Sequence, residues 1–483
     1  MTAIPVIDVF AGPGGLNEGF SRFATDDGSH PFAVAGSFEM DAVACRTLRM
    51  RAAVRRVRQD AVEAEAYRRF LAGEIDLTTW SARPIVAAAL TEADGEVHQV
   101  ELGPTTRSAS DEVIGEALRT RRRGDQPWVL VGGPPCQAYS LVGRSRRTND
   151  ATFADDVKHH LYREYLNILQ KFRPHVFVME NVKGLLSHRW GGVRMFDQIL
   201  EDLREPGYEI RSFVVPEKDP DAGDFVIRAE EYGVPQRRHR VILLGVRHDV
   251  AGCRSRVLSP APGPSVDAVI GRLPQIRSTI SPKREDDAAT WVAVRDEALA
   301  LAGLSGRNFR IPGDSGSEFG SGTNRGSSDG LTGWLTGGVD TPVIQHTARG
   351  HMTADLRRYA FLSGMALRGQ VVKTPDLPDQ LLPAHTNLSR PDAPFTDRFR
   401  VQVGTRPSTT VVSHISKDGH YYIHPDPGQM RSLTVREAAR LQTFPDDYFF
   451  CGNRTQQYHQ VGNAVPPFLA RQLAEVVHDL LRG

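Results

Sequence analysis

The first 250 residues alternate short apolar runs with segments of helical spacing, and this alternation constrains the fold more than any other feature. Apolar runs of strand length occur at residues 4–10, 31–38, 128–131, 175–179, 208–215 and 241–246. Segments with helical spacing occur at residues 15–23, 41–58, 157–172 and 195–203. Strands that alternate with helices form a mainly parallel sheet with helices on both faces. We therefore expect a doubly wound α/β fold for this part of the chain.

The alternation stops near residue 250 and returns near residue 431. Residues 251–430, called the irregular region below, are rich in proline and glycine and predict a second, smaller domain. Within it, residues 313–330 have the composition of a flexible or disordered loop. Thr434 and Glu437 then form a capping box that opens a helix, and Pro466 precedes a final amphipathic helix. The expected domains are 1–250, 251–430 and a C-terminal return, 431–483, that completes the first domain.

Residues 52–126 lie between the second predicted helix and the next predicted strand, at residues 128–131. This stretch is too long to be a simple loop. The stretch "YRRFLAGEIDLTTW" within them predicts a small helical insertion.

Composition narrows the class of protein. No run of 18 apolar residues occurs, and the N-terminus lacks the basic start of a signal peptide, so we expect a soluble cytoplasmic protein. Four scattered cysteines predict neither disulfides nor a zinc site. The net charge is only +1, but 52 arginines against 7 lysines suit contacts to phosphate or guanine. A GC-rich genome explains the arginine bias equally well.

A glycine-rich turn follows the first predicted strand. Gly12, Gly14 and Gly15 let a ligand approach the backbone at a helix N-terminus, although Asn17 replaces the third glycine of the dinucleotide fingerprint. Glu39 ends the second strand, where an acidic residue holds a ribose hydroxyl in such folds. Together these residues predict an adenosine-containing ligand.

Three further stretches of sequence place reactive or charged side chains at the ends of predicted strands. Cys136 lies in the turn "GGPPCQAYS", where a thiol is presented rather than packed. Glu180 follows a hydrophobic strand and is expected to face a cleft. Arg238 and Arg240 alternate into a strand, which predicts that both point to one face.

In this order, the pieces resemble the motifs of the DNA (cytosine-5) methyltransferases. "DVFAGPGG" resembles the first cofactor motif, "PPCQAYS" the catalytic Pro-Cys-Gln motif, "ENV" the glutamate motif and "QRRHR" the Gln-Arg-Arg-x-Arg motif. "RSLTVREAARLQTFPDDY" and "QVGNAVPP" resemble the last two motifs. The resemblance spans residues 8–250 and 431–470, and implies the fold of the S-adenosylmethionine-dependent methyltransferases.

The resemblance also implies a mechanism. Cys136 would attack C6 of a cytosine flipped out of the duplex. Glu180 would bind N3 and the exocyclic amine, and Arg240, aided by Arg238, would hold O2. C5 would then take the methyl group of S-adenosyl-L-methionine, leaving S-adenosyl-L-homocysteine.

The implied cofactor pocket draws residues from both ends of the chain. Its expected members are Asp8, Phe10, Gly12, Gly14, Gly15, Glu39, Met40, Asn463 and Ala464. The family's third motif, an acidic residue near adenine, is displaced by the insertion. Glu101 is the candidate for it, and Asp60 is an alternative.

Double-stranded DNA is the implied partner, read by the irregular region. The implied DNA contacts close to the cysteine are Gln137, Ser140, Arg144, Arg146 and Arg147. We expect a bacterial, nucleoid-associated monomer without metal, associated with a restriction or defence system. A tRNA cytosine methyltransferase, a nucleotide-dependent oxidoreductase and a catalytically silent DNA-binding module are the rival interpretations.

Overall fold

The computed structural model describes residues 3–135, 157–190, 193–217, 219–250, 256–282, 287–383 and 398–482. Its central sheet contains eight strands: β1 (Ile4–Val9), β2 (Phe32–Glu39), β3 (Val97–Gln99), β4 (Val129–Gly132), β5 (Val176–Val182), β6 (Tyr208–Arg211), β7 (Val226–Arg228) and β8 (His239–Arg247). The strand order is β3-β2-β1-β4-β5-β8-β6, and β7 also pairs with β8.

Strands β1 to β5 run parallel to one another, whereas β8 runs antiparallel to β5, β6 and β7. The carboxyl ends of β1, β2, β4 and β5 therefore lie along one edge of the sheet. The expected α/β fold with a mainly parallel sheet is confirmed, and the order reverses beside β1, where such sheets bind their ligands.

Helices cover both faces of the sheet. In chain order they are α1 (Gly15–Arg22), α2 (Ala42–Val57), α3 (Ala61–Leu71), α4 (Leu77–Ser81), α5 (Pro84–Asp94), α6 (Arg107–Arg121), α7 (Val157–Phe172), α8 (Met195–Arg204), α9 (Val266–Ile270), α10 (Ala288–Leu301), α11 (Gly330–Thr336), α12 (Thr353–Leu367), α13 (Val435–Leu441), α14 (Arg454–Asn463) and α15 (Pro467–Arg482). Short 3₁₀ helices occur at Lys183–Ser187, Ala222–Phe225, Ala229–Glu231, Gly306–Asn308, Thr374–Asp376, Asp379–Leu381 and Ser413–Ser416. No helix within these described residues is long and apolar enough to cross a membrane.

The two faces of the sheet are separated by alternation of side chains along each strand. Val6 and Val129 pack with α1 and α15, whereas Ile7 and Leu130 pack with α6, α7 and α8. Successive residues of a strand point to opposite faces, so near-continuous apolar runs fill both layers. The final helix α15 thus belongs to the same core as the first strand.

Between α2 and β4 the chain forms four helices and one strand, more structure than the sequence pattern indicated. Helices α3, α4 and α5 follow α2 directly, β3 adds an edge strand to the sheet, and α6 returns the chain to β4. Tyr67, Phe70 and Trp80 form the aromatic centre of this unit against Val54 of α2.

The irregular region has a core of its own, in which Trp291, Leu356 and Tyr359 are buried. Its strands are two-residue pairs: Thr279–Ile280 with Gly350–His351, Gly316–Ser317 with His346–Thr347, and Thr323–Asn324 with Thr341–Pro342. Outside this core, Gln236–Arg237 pairs with Ser408–Thr409 and Arg189–Trp190 pairs with Val193–Arg194.

The expectation of a flexible loop at residues 313–330 is wrong. This segment runs antiparallel to residues 341–348, with backbone hydrogen bonds from Val343 N to Gly322 O and from Gln345 N to Glu318 O. Glycine and serine allowed this close backbone pairing, which composition alone could not distinguish from disorder.

A buried polar network holds the start of α13. The predicted capping box is present, with Thr434 and Glu437 satisfying each other's backbone N–H groups. The guanidinium of Arg431 forms a bidentate ion pair with Glu437, at 2.6 Å for each N–O contact. His346 lies against this network, with Nδ1 2.9 Å from Thr434 Oγ1 and Nε2 2.8 Å from Pro274 O. Burial lowers the pKa of His346 to about 4.

This shift predicts a loss of stability in acid. The unfolded histidine takes up a proton as the pH falls below about 6.5, while folded His346 stays neutral until about pH 4. The free energy of unfolding should therefore fall by about 1.4 kcal/mol per pH unit for this group across that window. His346→Gln removes this one titration and should lower the slope between pH 7 and pH 5, measured by urea unfolding, while other buried histidines such as His175 and His424 keep their contribution. The exposed His459→Gln serves as control, and an unchanged slope in His346→Gln would contradict the assignment.

Candidate active site

The turn that follows β4 leads directly into the predicted nucleophile. Gly132 is in register with Met179 of β5, so Gly133 lies beside Glu180. A Cβ at Gly133 would lie 2.8 Å from Glu180 Oε2, closer than side chains normally approach. Asn181 Nδ2 donates a hydrogen bond of 3.3 Å to Pro134 O. The backbone two to three residues before position 136 is therefore held against the glutamate.

Six predicted site residues lie outside the described residues. They are Cys136, Gln137, Ser140, Arg144, Arg146 and Arg147. Their roles stay predictions.

Glu180 and Arg240 form an ion pair across neighbouring strands. Arg240 Nε lies 2.8 Å from Glu180 Oε1, and the side chains are both 16% exposed. Arg240 Nη1 also donates to His239 O at 2.9 Å. The pairing of β5 with β8 determines this contact. It places the Glu180 carboxylate beside the Arg240 guanidinium at one edge of the sheet. Such a pair can accept and donate hydrogen bonds to a planar polar ring.

Arg238 does not join this pair. Its Nη1 donates to Val411 O at 2.8 Å and its Nη2 to Gly462 O at 3.3 Å, and the side chain is buried. That both arginines share one face stays a prediction: residue 238 lies between two strands, Gln236–Arg237 and β8, and it interacts electrostatically with both Arg240 and Glu180. Burial, followed by the charge of Arg240, lowers the pKa of Arg238 well below its usual value.

The glycine turn after β1 has a left-handed backbone that borders open space. Phe10, Gly12 and Gly14 have φ values of 57°, 55° and 91°, so the chain turns through the left-handed region three times. A Cβ at Gly12 would meet no atom within 4 Å, so open space lies against this backbone. Glu39 Oε2 accepts from Gly12 N and Oε1 accepts from Asp41 N, each at 2.8 Å.

The C-terminal return packs against this turn. A Cβ at Gly15 would lie 2.1 Å from Val465 O, so the start of α1 touches the backbone that follows Asn463 and Ala464. Asn463 is exposed and Ala464 is buried beside it. Met40 is 59% exposed next to Glu39. The structure thus brings the predicted residues of both chain ends to one edge of the sheet.

Asp8 is fully buried, and neither carboxylate oxygen makes a hydrogen bond of normal geometry. Burial and then the charge of Glu39 raise the pKa of Asp8 well above its usual value, and the backbone N–H of Asn17 offsets this only in part. The amide of Asn17 donates to Ser37 Oγ at 2.9 Å while its own oxygen has no partner. A layer of incompletely satisfied polar groups therefore lies directly beneath the glycine turn.

The two candidates for the displaced acidic residue, Glu101 and Asp60, lie in different surroundings. Val100 N donates to Glu39 O at 2.9 Å, so Glu101 follows a residue bonded to the end of β2, and it is exposed. Asp60 instead caps α3, where its carboxylate accepts from Val62 N and Glu63 N.

Sequence reasoning missed Tyr448. Its hydroxyl donates to Pro13 O inside the glycine turn, and its ring is buried. Arg51 lies over the ring at 4.9 Å and pairs with Glu18 of α1. The tyrosine belongs to "TFPDDY", so the signal was present in the motif, but its contact joins residues 435 positions apart.

The chain matches the family model of the C-5 cytosine-specific DNA methylases over residues 117–285 and 377–479. It belongs to this family. A type II methyltransferase of Bacillus paralicheniformis is 33% identical, over 99% of both chains. A DNA (cytosine-5-)-methyltransferase of Aeropyrum pernix is 27% identical, over 81% of this chain and 89% of its own. The chain is thus a DNA (cytosine-5) methyltransferase, and methyltransferases of this family in general use S-adenosylmethionine.

The fold also matches a solved structure. A prophage-encoded E. coli protein described as a DNA modification methyltransferase covers 100% of both chains at a TM-score of 0.51 and 18% identity. The methyltransferase fold of this chain is therefore confirmed. No group of three or more His, Cys, Asp or Glu side chains that could hold a metal ion occurs in the part of the chain that the structure describes.

Gly133→Ala should disable catalysis without preventing folding. The new methyl group would displace the Glu180 carboxylate or the turn that carries Cys136, and misplacement of this size costs about 100-fold in rate. Steady-state methyl transfer measures the loss, and the dissociation constant for S-adenosylhomocysteine should stay unchanged. Gly223→Ala is the matched control because its Cβ would meet no atom within 4 Å. A fully active Gly133→Ala protein would refute the contact.

Tyr448→Phe should weaken cofactor binding. Removing one hydrogen bond to a buried carbonyl costs about 1 kcal/mol, which corresponds to roughly a fivefold rise in the dissociation constant for S-adenosylhomocysteine. Isothermal titration calorimetry measures this change. Tyr421→Phe, which loses a hydrogen bond to Arg400 in the irregular region, should bind the product normally. Equal effects in the two variants would rule out a specific role for Tyr448.

Proposed function

We propose that the chain methylates C5 of a flipped cytosine in a specific duplex DNA sequence through a covalent bond between Cys136 and C6 of the base. The observation that carries this proposal is the contact of Gly133 with Glu180, beside the Glu180–Arg240 ion pair. It supports an arrangement in which the chain bearing the thiol passes a carboxylate and a guanidinium that complement the polar edge of cytosine.

The reaction divides among three side chains. The Cys136 thiolate forms a bond to C6 while Glu180 hydrogen-bonds N3 and the exocyclic amine, and Arg240 hydrogen-bonds O2. The electron pair released toward C5 would form the new carbon–methyl bond as the methyl–sulfur bond of the donor breaks and its electrons stay on sulfur. Solvent water would then accept the C5 proton, which restores the C5–C6 double bond and expels the thiolate. Arg238 acts by position, since its hydrogen bonds tie the start of β8 to Val411 and Gly462.

The site residues fit S-adenosylmethionine, which supplies an electrophilic methyl group when bound. The open space at Gly12, the Glu39 carboxylate and the unpartnered Asp8 beneath them support binding of a ribose and an ammonium group. Glu39 would exchange its backbone hydrogen bonds for ribose hydroxyls, and exposed Met40 would cover the adenine. Glu101, Asn463 and Ala464 would close the pocket.

Relatives named type II methyltransferases support a role beside a restriction enzyme in a bacterial cytoplasm. In this role the irregular region, within boundaries near residues 250 and 430, reads the duplex. Gln137, Ser140, Arg144, Arg146 and Arg147 contact DNA close to the flipped base.

The test is covalent trapping. Bisulfite sequencing of DNA from cells that express the protein identifies the target, and a duplex with 5-fluorocytosine at that position then blocks release of the base. The protein should form a denaturation-resistant adduct with this duplex, and Cys136→Ala should bind the duplex without forming it. Cys45→Ala is the control, because burial raises the pKa of Cys45 to about 12 and leaves no thiolate there.

An adduct that survives Cys136→Ala, or methyl transfer to tRNA and not to duplex DNA, would overturn the proposal. Peptide mapping of the adduct assigns the bonded residue directly.

A further inference from the structure

Helices α3, α4 and α5 form a compact unit, residues 61–94, that none of the proposed catalytic steps uses. This helical unit packs on α2 through Tyr67, Phe70 and Leu71. Inside it, Trp80 is fully buried, and Arg83 forms an ion pair with Glu63. The helical unit is therefore packed firmly against α2 and is not a loosely attached loop.

One face of the helical unit contacts the irregular region through three aromatic rings. Phe70 of α3 lies 5.5 Å from the ring of Phe319 at an interplanar angle of 67°. Phe319 stacks on Phe449 at 5.6 Å and 13°, and Phe70 meets Phe449 at 5.2 Å. These three residues, here called the aromatic joint, come from the insertion, the irregular region and the C-terminal return. Edge-to-face and stacked rings at these distances attract one another beyond simple burial.

The backbones at the joint are also in close contact. A Cβ at Gly320 would lie 2.6 Å from Ala72 O, and a Cβ at Gly73 would lie 3.0 Å from Phe319 Cβ. Gly320 has a φ of 60°, which favours glycine independently of the space. The two segments are thus fitted to one another at backbone level.

The residues beside Phe319 are hydrogen-bonded both to the irregular region and to α14 of the C-terminal return. The neighbouring Glu318 accepts from Gln345 N through its backbone oxygen at 2.6 Å. Its carboxylate accepts from Gln457 of α14 at 2.9 Å. Ser321 N donates to Val343 O at 2.9 Å. A displacement of Phe319 would therefore also displace the paired segments at residues 316–324 and 341–347.

We propose that the helical unit is the dock that holds the irregular region in its DNA-binding position, with Phe319 as the positioning residue. This inference rests on the proposed function, since it assigns DNA reading to the irregular region. A protein whose binding-competent arrangement is only partly populated binds its ligand more weakly by that fraction. The irregular region already shares an apolar core with the C-terminal return, and the aromatic joint adds the contact that keeps the docked arrangement fully populated before DNA arrives.

Phe319→Ala should raise the dissociation constant for target duplex DNA by about tenfold, because the docked fraction falls. The turnover number at saturating DNA and the dissociation constant for S-adenosylhomocysteine should stay within about twofold of the original values, since saturating DNA restores docking. Phe319→Leu should recover most of the affinity. The control is Val339→Ala, an exposed apolar side chain of the same region, which should behave like the original protein.

Hydrogen–deuterium exchange gives a readout that does not depend on DNA. In Phe319→Ala, amides at residues 66–82 and 317–324 should exchange faster, while those of β1, β4 and β5 should not change. Normal DNA affinity in Phe319→Ala, or equal weakening of DNA and S-adenosylhomocysteine binding, would overturn the inference. Failure of the original protein to methylate any DNA would instead overturn the proposed function, and the exchange experiment separates these two outcomes.

Discussion

The ion pair between Glu180 and Arg240 is the contact around which the site is arranged. It exists because β8 runs antiparallel to β5 within a sheet whose other central strands are parallel. The parallel strands bring the glycine turn after β1 and residues 133–135 after β4 to the same edge. Gly133 then lets the second turn approach the carboxylate.

Closure of the site depends on residues far apart in the chain. Val465 and Tyr448 from the C-terminal return fix the glycine turn near the amino end, and Arg238 ties β8 to both the irregular region and α14. Buried arginines that donate to backbone carbonyls are costly to leave unpaired. The contacts of Arg238 therefore fix the position of β8 relative to the irregular region and α14, and add less to the free energy of unfolding.

Local patterns predicted most of the sheet, the capping box at Thr434 and the members of the cofactor turn, because apolar periodicity and turn chemistry are written in neighbouring residues. The family resemblance supplied the roles of Glu180 and Arg240. Three features could not be predicted from local patterns. Arg238 donates to Val411 O and Gly462 O, residues 313–330 are paired despite a composition typical of disorder, and Tyr448 contacts Pro13 through tertiary packing alone.

The most direct measurement is a crystal structure of the protein with S-adenosylhomocysteine and a duplex carrying 5-fluorocytosine at the target position. The account predicts a bond between Cys136 Sγ and C6 of an extruded base, with Glu180 within hydrogen-bonding distance of N3 and Arg240 within that distance of O2. It also predicts the product ribose against Glu39. A base that remains stacked in the duplex, or one bonded to another residue away from Glu180, would contradict the account.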